Sequence, residues 1–314
     1  MRKGIVTILL YVCCGCTMAQ ETISYLDWIG RPCQKERASQ IYVLNKTDTG
    51  WCRKLYWLPG LQISQIYNYQ DSACQILDGS FWEFHPNGQL KKSGKYKNRE
   101  LVGTWLVYSQ TGALIGECQH EGGYHYISSL SWHENGAMSD SSRYNPDDST
   151  LVTVGWYPDG KPSYAGRWKN GKAVGKWKHY HPTGHSSAEV WYNDGKRYKR
   201  KLYDEDGVTE TDTTGKDRNA FYKKGINRWI ANIERHINFP AQYQTANRNS
   251  FSIYITFIVD EQGEIKEIFT VSPTHPDFNK ALLATMKKAP RWEPAILNNK
   301  KVSCYMGGNF TFAH

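Results

Sequence analysis

Gly79-Ser-Phe81-Trp-Glu-Phe84-His-Pro-Asn-Gly88, Gly103-Thr-Trp105-Leu-Val-Tyr108-Ser-Gln-Thr-Gly112 and Gly175-Lys-Trp177-Lys-His-Tyr180-His-Pro-Thr-Gly184 are three copies of one signature. Their closing glycines belong to a longer series: Gly88, Gly112, Gly136, Gly160 and Gly184 are each 24 residues apart, and Gly207 follows 23 later. Four places before each stands an aromatic residue, namely Phe84, Tyr108, Trp132, Trp156, Tyr180 and Tyr203. A fixed interval of this size marks a repeat array rather than an ordinary globular core.

The punctuation of the unit gives its shape. Pro-Asn-Gly, Pro-Asp-Gly, Pro-Thr-Gly and Glu-Asn-Gly put glycine where a turn needs positive φ, and a second turn falls mid-repeat at Lys97-Asn98-Arg99 and Lys169-Asn170-Gly171. Two turns per repeat leave two strands of ordinary length, so each repeat is a β-hairpin. Trp105 and Tyr108 are three apart and point to opposite faces. Tyr96 and Trp168, from partner strands, fill between the aromatics of neighbouring repeats. The expected fold is mostly β, one continuous antiparallel sheet from residue 20 to about Tyr203, in which 20–76 is a degenerate lead-in and 77–208 the hairpin array proper.

The array resembles the bacterial MORN-repeat variant of the YwqK antitoxin-like family, most closely in Gly94-Lys-Tyr96-Lys-Asn98 through Gly112 and in Gly166-Arg-Trp168-Lys-Asn170-Gly171 through Gly184. The middle copies depart from the pattern: Ser129 and Thr153 stand at the Trp position, Ile127 and Leu151 at the preceding glycine.

Residues 204–219 are polar and threonine-rich, and 209–220 reads as a linker. Beyond it the pattern changes. Trp229, Ile230, Ile233 and Ile237 recur at helical spacing, with Phe239-Pro240 as the stop. A strand over Ser252–Val259, a turn at Asp260-Glu-Gln-Gly263, a strand over Ile265–Val271, a helix from Asp277 and a last strand over Val302–Phe312 follow. Residues 221–314 resemble the C-terminal domain of the TonB energy transducers in the form common in Bacteroidota. The matching residues are Phe239-Pro240, Ile253-x-Ile255-x-Phe257-x-Val259-x-x-x-Gly263-x-Ile265, Ala281-Leu282, Pro290-x-Trp292-x-Pro294-Ala295, and Val302 with Phe310-x-Phe312. Phe251 and Asn299 stand where that family usually has glycine. The resemblance implies a small α+β domain of two helices and a three-stranded antiparallel sheet. It also implies capture of an extended peptide by strand addition and a last strand at the sheet edge after an exposed Asn298-Asn-Lys-Lys301 turn. Val302, Ser303, Tyr305, Phe310 and Phe312 are the candidate partner-binding residues.

The chain opens Met1-Arg-Lys3, an apolar run from Ile5 to Val12 and small residues Thr17 and Ala19, the pattern of a secretory signal over 1–19 with cleavage after Ala19. The run is shorter than the ~20 residues a bilayer span needs. Lipid anchoring at Cys16 is the less favoured alternative. Export to the periplasm or the outer-membrane periphery of a Gram-negative bacterium permits disulfides. Cys33, Cys52, Cys74, Cys118 and Cys304 include no Cys-x-x-Cys pair, and read better as small apolar side chains than as bridges.

Lysine and arginine exceed acidic residues by nine, and the excess concentrates between Lys161 and Lys201. The candidate basic surface is Lys169, Lys172, Lys176, Lys178, Lys196, Arg197, Lys199, Arg200 and Lys201. Such a run either keeps a long sheet soluble and its edge unpaired or meets anionic lipid head groups or an acidic partner; export argues against nucleic acid. His181-x-x-x-His185 brackets a turn, lacks the spacing of a helical metal pair, and reads as solvated. No nucleophile elbow or phosphate loop occurs, so no catalytic, cofactor or metal residue is expected. With 12 prolines and no proline-rich run, the chain is not expected to transmit force across a periplasm. The expected function is that of a non-enzymatic envelope binding or scaffold protein. The alternative is an accessory component of TonB-dependent outer-membrane transport, with an outer-membrane receptor as partner.

Overall fold

The computed structural model describes residues 21–27, 30–122, 125–210, 217–237, 250–270 and 276–313. The predicted cleavage after Ala19, Cys16, Phe239-Pro240 and the middle of the predicted linker lie outside them.

Fifteen strands follow one another in chain order through a single antiparallel sheet. They are β1 (Glu21–Leu26), β2 (Gln40–Thr47), β3 (Gly50–Trp57), β4 (Gln62–Tyr69), β5 (Gly79–Phe84), β6 (Leu90–Lys97), β7 (Glu100–Tyr108), β8 (Leu114–Gly122), β9 (His125–Trp132), β10 (Met138–Asn145), β11 (Thr150–Trp156), β12 (Pro162–Lys169), β13 (Lys172–Tyr180), β14 (Ser186–Asn193) and β15 (Lys196–Leu202). The predicted lead-in is thus part of the sheet. By contacts the chain divides into two compact units, one holding Arg31–Lys178 and Trp191–Tyr198, the other His179–Val190 and everything from Lys199 onward.

In the first unit one row of residues crosses the sheet on a single face. Phe81 pairs with Gly94, Trp105 with Cys118, Cys118 with Ser129, Ser129 with Ser142, Ser142 with Thr153, and Thr153 with Gly166. Where the row reads aromatic and glycine, the ring lies on the bare backbone. Phe81 and Trp105 stand 5.5 Å apart with Tyr96 edge-on to both, and Trp168 is edge-on to Trp177 at 5.0 Å. Trp105 and Trp177 are 3% and 5% exposed, so the sheet buries its largest side chains by laying them along itself. Where the row reads serine and threonine, hydroxyls replace rings. Ser142 Oγ donates to Thr153 Oγ1 at 2.9 Å, and the Asp140 carboxylate accepts from Ser142, Thr153 and Tyr164. The third and fourth repeats therefore keep the strand register while exchanging aromatic packing for hydrogen bonds.

A second device ties turn to turn. His85 Nε2 hydrogen-bonds the Tyr108 carbonyl at 2.8 Å and His133 Nε2 the Trp156 carbonyl at 3.0 Å, while Asn87 and Asn135 Nδ2 donate to the carbonyls of Gln110 and Pro158. Each bond reaches the turn of the following repeat.

In the second unit, α1 (Ile226–His236) and α2 (Pro276–Lys288) accompany a three-stranded sheet of order β17 (Ile265–Thr270), β16 (Ser250–Val259), β20 (Cys304–Ala313). Trp229 of α1 packs 5.0 Å from Phe257 and 5.3 Å from Trp292, and the core closes with Ile233, Ile255, Phe278, Leu282, Phe310 and Phe312. Gly263, at φ +79°, brings its backbone against Trp292, whose N–H donates to the Gly263 carbonyl; a Cβ there would meet the Trp292 carbonyl oxygen at 1.9 Å.

The predicted last strand is broken in two. Val302 belongs to β19 (Lys300–Val302), which forms a hairpin with β18 (Ala295–Leu297) and pairs Val302 with Ala295. The turn between them is not exposed as expected. Asn298 is 1% exposed, its Nδ2 lies 2.9 Å from His179 Nε2, and Asn299 Nδ2 donates to the Tyr203 carbonyl and to Glu210. A run of polar residues reads as a solvated turn, but here its amides find partners distant in the chain.

Candidate functional site

The strand β20 lies at the border of its sheet, paired with β16 from Ser250↔Ala313 to Val259↔Cys304 without a bulge. Its side chains alternate. Phe310 and Phe312, 0% and 2% exposed, are core residues and not the partner-facing side chains expected of them, whereas Tyr305 is 68% exposed on the opposite face. There its ring stands 5.9 Å from that of Phe269, and Tyr254 is also exposed.

The orientation of the backbone follows from two contacts. Thr311 N–H donates to the Glu234 carboxylate of α1, and the Thr311 and Ser252 hydroxyls meet at 2.8 Å. An N–H that leaves the ladder and touching cross-strand side chains both mark Thr311–Ser252 as a non-hydrogen-bonded pair. Counting back by twos along an unbroken register, Tyr305, Gly307 and Asn309 also direct N–H and C=O away from β16. Among the described residues no strand pairs with β20 on that side. Ser303 differs from the expectation: its N–H and Oγ both donate to Glu261, at 3.2 and 3.0 Å, so it belongs to a capped start of the strand. The usable edge runs from Tyr305 to Asn309. Gly307 and Asn309, absent from the expected set, were readable only through the alternation that Phe310-x-Phe312 imposes.

The basic residues sort by strand. Lys169 on β12 and Lys172, Lys176 and Lys178 on β13 are exposed; Lys172 pairs with Asp194 at 2.8 Å, and Lys176 stands over the Trp191 ring at 5.1 Å. On β15, the last strand of the large sheet, Lys196, Arg197, Lys199 and Lys201 are exposed. Arg200 is not part of that surface: its side chain is 10% exposed and paired with Asp217. Charge along a border strand discourages pairing with other chains.

His181 is 3% exposed rather than solvated, with Nε2 3.0 Å from the Tyr203 carbonyl, while His185 Nδ1 is 2.9 Å from the Glu205 carbonyl. The two rings serve different backbone carbonyls. Burial, and secondarily the Lys300 ammonium, push the His179 imidazole down to about 4, and burial pushes Lys300 down to about 8. Among the described residues, Cys33, Cys52, Cys74, Cys118 and Cys304 are unbridged and half-buried.

A hollow of about 230 Å³ opens over the third repeat, lined by Lys92, Trp105, Cys118, His120, Ser129 and Ser131 among others. Its signal in the sequence was Ser129 at the position where the preceding repeat carries Trp105.

Residues 77–98 match the family described as MORN repeat variant. No curated protein matches the chain. Solved structures that it resembles include a chain of the crystal structure of the GtfA/B complex bound to UDP and GlcNAc, at 12% identity and TM-score 0.18 over 46% of this chain and 26% of that one. Another is a chain of the crystal structure of TcdB2-TccC3-Cdc42, at 11% identity and TM-score 0.15 over 64% of this chain and 11% of that one. The protein thus spans a small part of either chain's length, and likenesses this low carry no argument about fold or function. What stands is a repeat array whose hairpin at 77–98 carries the MORN repeat variant.

Proposed function

We propose that this protein is a non-enzymatic, exported component of the cell envelope that holds an extended peptide of a partner by adding it as a strand to β20. The observation that carries this reading is the outward-facing backbone of Tyr305, Gly307 and Asn309. An edge of that kind supplies donors and acceptors for a main-chain ladder without any dedicated side chain. The resemblance of residues 221–314 to the C-terminal domain of TonB transducers points the same way, and the hairpin array offers a scaffold beside it. The exposed lysines of β15 offer a secondary contact for anionic lipid head groups.

Capture from an envelope extract by the immobilised full chain tests the proposal. Tyr305→Pro and Asn309→Pro, which remove outward donors while sparing the β16 ladder, are expected to lose the partner in a protein whose near-ultraviolet circular dichroism is unchanged. Capture indifferent to both prolines, yet lost when Lys196, Arg197, Lys199 and Lys201 become Gln, would place binding on the array and end this reading. Were the partner an outer-membrane receptor, the accessory role in TonB-dependent transport would be the specific form of the function. Export with cleavage after Ala19 is tested by the mass of the mature protein: a start at Gln20 is expected, a lipid-bearing Cys16 overturns that cleavage site in favour of a lipoprotein, and an intact Met1 overturns export itself.

A further inference from the structure

Resting on the strand-addition reading of β20, we infer that the peptide it receives is a short extended segment flanked by lysine or arginine. The window set by Tyr305 and Asn309 is five residues, about 17 Å of strand. Each end of it is held by a carboxylate of the same unit. Glu234 takes the N–H of Thr311 at 2.5 Å, and Glu261 takes the N–H and hydroxyl of Ser303.

Side chains of an added strand alternate between the two faces of the sheet. On the open face they meet Tyr305, whose ring rests 5.9 Å from that of Phe269. On the helix side they meet α1, which overhangs the strand at Gly308: a Cβ there would stand 2.6 Å from Ile230 Cδ1 and 4.0 Å from Ile226 Cδ1. Glu234 lies one turn beyond Ile230 on the same stripe of α1, whereas Arg235 next to it is rotated away by a full residue step. A peptide side chain that leaves the window beneath α1 therefore arrives at a carboxylate already committed to the strand's backbone. An ammonium or guanidinium completes that site with a charge-assisted bond, and an acidic side chain is repelled by it.

The test uses the full chain and synthetic nine-residue peptides of alternating threonine and valine whose terminal residues are both lysine, both leucine or both glutamate, read by fluorescence anisotropy. The lysine peptide is expected to bind about tenfold more tightly than the glutamate peptide at low salt, with the gap narrowing as salt screens it. Glu234→Gln and Glu261→Gln together are expected to erase that preference. Methylation of alternate peptide amide nitrogens, which leaves the protein untouched, is expected to abolish binding of all three. Equal affinity for lysine and glutamate peptides, with methylation still effective, overturns the charge requirement and leaves strand addition standing. Binding indifferent to methylation, or no binding by any peptide at millimolar concentration, overturns both. Self-association of the wild-type chain that Asn309→Pro removes assigns the edge to a second copy and also overturns the inference.

Discussion

Trp177 lies flat against Gly166: a Cβ built on that glycine would stand 2.0 Å from the ring's Cδ2, and the same pose recurs between Trp105 and Gly94, at 2.1 Å. The indole occupies the space a side chain would need, which is why these two strands carry glycine at that point of the row. Gly166→Ala should force the ring from its place and cost on the order of 1–3 kcal/mol, the usual penalty of overpacking. Trp177→Ala should cost about 3–5 kcal/mol. Urea denaturation of both variants measures this, and a neutral Gly166→Ala would contradict the close approach.

His179 gives the second unit an acid-sensitive point. Its folded value of about 4 lies below the ordinary 6.5, so the unfolded chain binds a proton that the fold resists. The stability involved is fully present above pH 6.5 and is lost as pH falls from there toward 4. A displacement of that size corresponds to about 3 kcal/mol. Denaturation midpoints measured between pH 7 and pH 4 should fall, and His179→Gln should flatten the dependence.

Lys300 contributes in the opposite pH range. Burial depresses it from 10.5 to about 8, so its desolvation cost is borne throughout the range below 8 and relieved as pH rises toward 10.5. Lys300→Met should therefore stabilise the protein at pH 7, with the advantage shrinking as pH rises from 8 to 10.5. Thermal melts at the two pH values decide it.

Removing His133 takes away one clasp between consecutive turns. His133→Ala should cost about 1 kcal/mol, typical of a single hydrogen bond to backbone, and Asn135→Ala a similar amount. Because the two bonds join the same pair of turns, the double variant should depart from the sum of the singles. A double-mutant cycle by urea denaturation measures the coupling.

Much of the sheet was legible because a pleated hairpin array constrains its sequence locally: Gly88 and Gly112 sit in turns at φ +86° and +84°, and Phe81, Trp105 and Trp177 fall at one position of the repeat. The middle copies obscured this. Ser129 and Thr153 read as failed matches, yet they hold the same register with hydroxyls in place of rings. In the second unit the alternation of Ile253, Ile255, Phe257 and Val259 disclosed a strand with one buried face. The hairpin of β18 and β19 escaped because three-residue strands show no period, and the burial of Asn298 escaped because it depends on His179, a partner no local pattern reveals. Phe310 and Phe312 were assigned to a partner although their own alternation marks them as core, since an edge strand offers backbone outward and its large side chains inward.

The hydroxyl-lined middle of the array has a mechanical consequence. A stack in which each hairpin touches only its neighbours is as cooperative as its weakest junction. Between the aromatic block around Trp105 and the one around Trp177, the Ser129–Ser142–Thr153 segment supplies bonds that water can replace. Under tension or mild denaturant the array yields there first, and its amides at β9 and β10 exchange with solvent ahead of those on either flank. The hydroxyl row is thus the expected place for the array to part, with the aromatic rows on either side keeping their order longer.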